Sequence, residues 1–355
     1  MNNQIKITSH LTLLLFLGIL GIGLTGTSHA QKLDTIVPKQ GSNIRGRIKN
    51  VSPQAVSVDV KGKTKNIPVH EIGHINFGEE SSYMKQARES IEEGQFDQAA
   101  GRLERVDTSK LKSPLVKSEF AYLTARLKIE RSRKGELDTG AAAKAAIDFL
   151  KNNGKSYHYY EVLESLGRMA MQMGSPGKAE QYFSKLAKAP ATETKVLASV
   201  LAGDAMRAQG EPKFPSAIKR YDSVLSAKAS GKEITRLKGL ALVGKSACQA
   251  AMGKADKAIP ALETLIAETD SSDIELHAAA NNALGDCHRS AGSNMDAALA
   301  WLHTDQLFFR DSAAHAEALY KLSQVFGELG QPAQAAQKRQ LLKTRYSNSV
   351  WAKQP

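Results

Sequence analysis

Cysteine is scarce in this chain, with two in 355 residues. Cys248 and Cys287 belong to no C-x-x-C pattern, so a thiolate zinc site and a c-type haem attachment are excluded. They read as two small buried hydrophobes, a bridge between them being the alternative in an oxidising compartment. Aromatic residues are also few, at 6%, which suits helices packed at close range. No stretch beyond residue 30 approaches the roughly 20 apolar residues that a membrane-spanning helix needs. No block of five or six like charges occurs, although the net charge is +12; basic side chains spread along solvated faces give the same sum. There is no phosphate loop, no nucleophile elbow and no recognisable setting for paired carboxylates. No cofactor is expected, and the chain reads as non-enzymatic.

The first thirty residues read as a targeting segment. Lys6 precedes an apolar run from Leu11 to Leu24, and Ser28-His29-Ala30 ends it with small residues where a signal peptidase reads. Cleavage is expected after Ala30, giving a periplasmic or secreted protein, with a retained anchor as the alternative. Export argues against a nucleic-acid partner for the basic charge. It points to anionic partners in the envelope, such as acidic proteins, lipid head groups or cell-wall polymer.

Residues 31–80 have a period of two. Val56, Val58 and Val60 alternate with Ser57 and Asp59, and Lys61-Gly62-Lys63 makes a turn. Ile44, Ile48 and Val51 precede them; Ile67, Val69, Ile72, Ile75 and Phe77 follow. Four or five short strands are expected, resembling a small SH3-like or Sm-like β-barrel. Within them stands His70-Glu71-Ile72-Gly73-His74, a literal H-E-x-x-H. On a helix the two His share a face and can bind zinc with the Glu as general base, so a zinc-dependent hydrolase is the alternative function. Pro68 and Gly73 weaken a helix here. In a strand, His70 and His74 stand about 13 Å apart and cannot share one ion. A loop-to-strand passage is the preferred reading.

Residues 81–347 repeat. Gly94, Gly174, Gly210, Gly253, Gly292 and Gly330 each have a small residue seven positions earlier: Ala87, Gly167, Gly203, Ser246, Gly285 and Ser323. An Ala follows five positions later, at Ala99, Ala179, Ala258, Ala297 and Ala335, and at Ala217 after a two-residue insertion. Leu103, Phe183, Tyr221, Leu262 and Trp301 fill the next large position; Arg339 replaces it in the last unit. Gly135 marks a seventh, divergent unit by spacing alone. The small residue allows a close helix crossing, the Gly a tight turn, and the large residues fill the gap to the next unit. This order resembles the tetratricopeptide repeat, though the spacing of 36 to 43 residues exceeds that motif's period of about 34. The resemblance implies a mainly α solenoid of about seven helix pairs, with residues 348–355 as a tail, and a scaffold for protein–protein interaction.

In such an array the first helix of each pair lines the concave face. Counting back from each turn glycine, the lining residues are Arg88, Glu161, Glu164, Arg168, Asp204, Arg207, Asn282, Asp286, Arg289, Tyr320 and Gln324. The Asp204/Arg207 and Asp286/Arg289 sets match. Arginine presents a fork to carboxylates, so an acidic peptide or protein segment is the partner this face favours. The preferred reading of each matching set is nevertheless that the Asp pairs with its own Arg along the helix.

Overall fold

A computed structural model describes residues 32–355; the proposed targeting segment lies outside them. Five antiparallel strands come first: β1 (Asp34–Pro38), β2 (Ile44–Val51), β3 (Ala55–Val60), β4 (Lys63–Pro68) and β5 (Ile72–Asn76). They form one sheet in the order β4-β3-β2-β1-β5, with β4 and β5 as its edges. The alternation seen in sequence sets the buried face: Ile36, Val56, Val58 and Ile75 are fully buried. Lys61 and Gly62 both take positive φ in the β3–β4 turn, as a tight hairpin requires. Val69–Glu71 is a short 3₁₀ turn leading into β5.

Fourteen helices follow as seven antiparallel pairs. They are α1 (Ser82–Glu92) with α2 (Phe96–Glu104), α3 (Pro114–Arg133) with α4 (Thr139–Asn152), and α5 (Tyr159–Gln172) with α6 (Pro176–Leu186). Then come α7 (Thr192–Arg207) with α8 (Phe214–Leu225) and α9 (Lys232–Ala251) with α10 (Ala258–Glu268). The last are α11 (Ile274–Ser290) with α12 (Asn294–Leu307) and α13 (Ser312–Glu328) with α14 (Pro332–Arg345). None of the described helices is long and apolar enough to cross a membrane.

All seven repeat glycines, Gly135 included, have φ between 67° and 92° and end the first helix of a pair. At six of them the next residue's N–H reaches back five positions, as in Gln95 N to Ser90 O at 2.8 Å and Gln331 N to Phe326 O at 2.8 Å. This left-handed cap satisfies carbonyls that the helix end would leave bare. Gly210 lacks that bond because Pro212 and the two-residue insertion redirect the chain. The small residue seven positions earlier has an equally direct cause. A Cβ at Gly167, Gly203 or Gly285 would lie 2.4, 2.6 or 2.3 Å from the rings of Phe183, Tyr221 and Trp301. In these three units the aromatic ring packs directly on the backbone of its own first helix.

Sheet and array share a core. Ile36, Ile75 and Phe77 cluster with Met84, Ala87 and Ile91 of α1, and the cluster runs on through α3, α4 and α5. Cys248 and Cys287 are both buried and unbridged, and the Cys287 thiol faces the Ser246 carbonyl at 3.8 Å.

Candidate partner-binding groove

First helices pack on first helices, α7 on α9, α9 on α11 and α11 on α13, so their outward residues form one continuous wall. The carboxylate of Glu317 on α13, three units away, is within electrostatic reach of Arg207 on α7.

The predicted lining residues divide into two groups. At the start of the array Arg88 is not a groove residue. It is buried at the seam with the sheet, where its guanidinium holds Glu80 at 2.9 Å, Glu119 at 2.9 Å and Asn76 at 3.1 Å. Its position on α1 follows the repeat register, but here the sheet covers that surface. Glu119 also receives Tyr157 Oη at 3.2 Å and faces His158 Nε2 at 3.1 Å. Burial opposes ionisation of both, yet each is the other's counter-charge. The His158 pKa is raised, and that of Glu119, which Arg88 also holds, is lowered. Glu161 continues this network toward solvent. It accepts from Tyr122 Oη at 2.7 Å and faces His158 Nδ1 at 3.4 Å, with its own side chain about half exposed. Partial burial resists its ionisation, but His158 and Tyr122 outweigh that and hold it down to about 2. The spacing of the repeat gave no hint of Glu119, Tyr157 or His158; only a Glu in register with the buried positions of α3, among Val116, Tyr122 and Leu123, could have suggested them. A cavity of about 310 Å³ opens beside this network, between His70 of the 3₁₀ turn and Gly73 of β5 on one side and Tyr157, Tyr160, Glu161 and Glu164 of the array on the other.

Farther along, the other residues lie on the first helices of their pairs, Asn282 among them being buried. The expected pairing of each Asp with the Arg three positions on does not form. Asp286 pairs with Lys321 of the next first helix at 2.6 Å, and Lys321 also holds Glu317 at 2.6 Å. Arg289 reaches across to Gln324 at 3.2 Å and Glu328 at 2.5 Å. The packing of α13 against α11 brings it closer to these groups than their own helix neighbours are. Asn282 is buried; its Nδ2 donates to the Ala314 carbonyl at 2.9 Å and its Oδ1 has no partner. Gln324 donates to Tyr320 Oη at 2.7 Å, and Arg168 holds Glu164 at 2.9 Å on its own helix. Asp204 takes the hydroxyl of Tyr221 at 2.7 Å, and its pKa is raised by burial.

Arg207 stands apart. Its Nε is fully buried with no acceptor, and among the described residues its guanidinium makes no hydrogen bond or ion pair. Burial works against its charge, but Tyr221, Asp204 and Glu317 around it hold it protonated. Arg168 and Arg289, the other wall arginines, are engaged.

The H-E-x-x-H sequence has no helix. His70 and Glu71 lie in the 3₁₀ turn, and His74 lies on β5 beside Asn76 Nδ2 at 3.3 Å. The shared helical face that the zinc reading needs is not built. Among the described residues no three His, Cys, Asp or Glu side chains gather as a metal site.

Residues 249–303, from the end of α9 into α12, match the tetratricopeptide repeat family. No curated protein matches in sequence. Among solved structures, the chain is similar to a tetratricopeptide repeat protein from Parabacteroides merdae. The TM-score is 0.55 at 16% identity, over 76% of this chain and 96% of that one. It is also similar to a Rap protein complexed with Competence and Sporulation Factor, with a TM-score of 0.50 at 12% identity over 76% of each chain. These likenesses concern the fold, a tetratricopeptide-type solenoid, which in this chain follows a small antiparallel sheet.

Proposed function

We propose that this protein is a non-enzymatic scaffold that captures a protein or peptide segment along the wall of first helices. It acts in the bacterial cell envelope after loss of its first thirty residues. The observation that carries this reading is Arg207. A guanidinium that is mostly out of water and has no acceptor is costly, and a partner carboxylate or carbonyl set on its fork would supply what is missing. The neighbouring acids do not fill that role. Asp204 is engaged by Tyr221, and Asp286 and Glu317 by Lys321. The acidic character of the partner and its envelope location rest on this chemistry and on the amino-terminal sequence.

The test is panning of a random peptide library against the mature chain and against Arg207→Gln. Selected peptides are expected to be rich in Asp and Glu, or to need a free carboxyl terminus, and to bind the variant at least tenfold more weakly. Equal binding by the two proteins would remove Arg207 from the reading. Arg289→Gln serves as comparison: it loses bonds to α13 rather than an open site, so its effect falls on stability.

A further inference from the structure

Past α14 and its capping residue Tyr346 come nine residues, Ser347 to Pro355, and these do not trail into solvent. Three short bonds fold them into a turn: Ser349 N to Tyr346 O at 2.9 Å, Ala352 N to Ser349 Oγ at 3.1 Å, and Gln354 N to Trp351 O at 3.3 Å. The turn sets the Trp351 ring against Tyr320, with centroids 5.4 Å apart and planes inclined by 35°. Lys321 Nζ lies 5.8 Å from the centre of Trp351 and 5.8 Å from that of Trp301, between the only two tryptophans of the chain. Arg339 stacks on the other partner, 5.6 Å from the Tyr320 ring, and donates to the Gln354 carbonyl. An aromatic face with a cation beside it is a good seat for a second ring.

Two of these residues belong to the groove. Tyr320 and Lys321 stand on the wall of first helices, and Lys321 is the group that engages Asp286 and Glu317. The segment also reaches beyond its own unit. Val350 comes so near the α5–α6 turn that a Cβ at Gly174 would lie 4.0 Å from its Cγ1. The carboxy-terminal turn of the seventh unit therefore lies beside the turn of the third. Its hold is light: Val350 is exposed and Trp351 only partly buried, whereas Trp301 is fully buried.

We propose that the shelf made by Tyr320, Lys321 and Arg339 is a docking site for a large aromatic residue of the partner segment, and that the chain's own Trp351 is its exchangeable occupant. This rests on the groove reading above and adds to it the chemistry of one subsite. A partner suited to this groove carries a Trp, Tyr or Phe in a short turn, followed by a backbone carbonyl for Arg339. Binding would lift Ser347–Pro355 off the wall and away from the turn of the third unit.

The probe is a fluorescently labelled peptide with the sequence of residues 347–355. The full mature chain carrying Trp351→Ala is expected to bind it at least tenfold more tightly than the unaltered chain, because the shelf is vacated. Trp351→Phe should bind as weakly as the unaltered chain, and Tyr320→Ala added to Trp351→Ala should abolish binding. A peptide with Ala in place of its Trp should not bind. Equal binding to Trp351→Ala and to the unaltered chain would overturn the proposal and leave the segment a fixed cap on the last unit. A second measurement needs no variant. Saturating unlabelled peptide should speed carboxypeptidase removal of the chain's own last residues several-fold; an unchanged rate has the same negative meaning. Neither measurement uses Arg207, so a failed peptide panning with successful exchange would count against the groove reading and not against the shelf.

Discussion

Gly285 shows how much of this fold rests on single atoms. Its missing Cβ would stand 2.3 Å from Trp301 Nε1, and the indole N–H is itself tied to the Asn282 carbonyl at 3.1 Å. The ring cannot retreat without breaking that bond in a fully buried place. Gly285→Ala is therefore expected to destabilise the chain by about 1–3 kcal/mol through overpacking, despite alanine's better helix propensity. Urea denaturation checks the sign, and a gain in stability would mean that the ring has room to move. Asp305 supports a second residue-scale expectation. Its carboxylate takes His315 Nε2 at 2.9 Å and Lys338 Nζ at 2.5 Å, and although burial opposes ionisation these bonds hold its pKa down to about 2. A depressed carboxyl stabilises the fold above its ordinary pKa of 3.8 and loses that contribution as pH falls toward 2. The contribution is on the order of 2 kcal/mol. Melting between pH 5 and pH 2.5 should fall more steeply for the unaltered chain than for Asp305→Asn. Parallel curves would show that the carboxylate is not held down.

At the level of elements, the repeat was legible because each position has one local cause. A left-handed cap demands Gly at 94, 135, 174, 253, 292 and 330, and a positive φ without that cap demands it at 210. A ring lying on a helix demands Gly at 167, 203 and 285. Such requirements recur with the unit and can be read without knowing how units are turned against each other. The charge pairs could not be read in this way. Asp286 and Arg289 were three residues apart on one helix, yet both found partners on α13, because the rotation between units brings Lys321 and Glu328 nearer. Arg88 shows the same limit from another side, since a repeat register says nothing about a sheet lying over the first unit. That seam carries the third prediction. Glu119 is buried between Arg88 at 2.9 Å and His158 at 3.1 Å. Glu119→Gln keeps the shape but leaves both cations without their shared anion, and breaking a buried ion set by one partner costs about 3–5 kcal/mol. The variant should melt well below the unaltered chain, and Arg88→Met combined with Glu119→Gln should recover part of the loss. A Glu119→Gln melt unchanged within error would mean that water already satisfies the seam.

For the whole molecule, the question is whether sheet and solenoid unfold together. A stacked array is stabilised by neighbour contacts, so damage spreads only as far as the shared core carries it. Here the core of the sheet is continuous with the first two units and with α5, while units further on have clusters of their own around Tyr221, Leu262 and Trp301. The sheet thus serves as the amino-terminal cap that the exposed end of α1 needs, which its separate period of two in the sequence did not reveal. Ile75 is fully buried at that junction. Ile75→Ala should cost about 2–5 kcal/mol, and the loss should be local. In hydrogen exchange, amides of β1, β5, α1 and α3 should exchange faster by a factor that reflects this cost, while α9 to α13 stay protected as in the unaltered chain. The groove around Arg207, Asp286 and Lys321 would then remain intact in a molecule whose first end has loosened, and peptide binding there should survive. Uniform loss of protection from β1 to α14 would instead make the chain a single cooperative unit. In that case the wall of first helices could not hold a partner independently of the sheet.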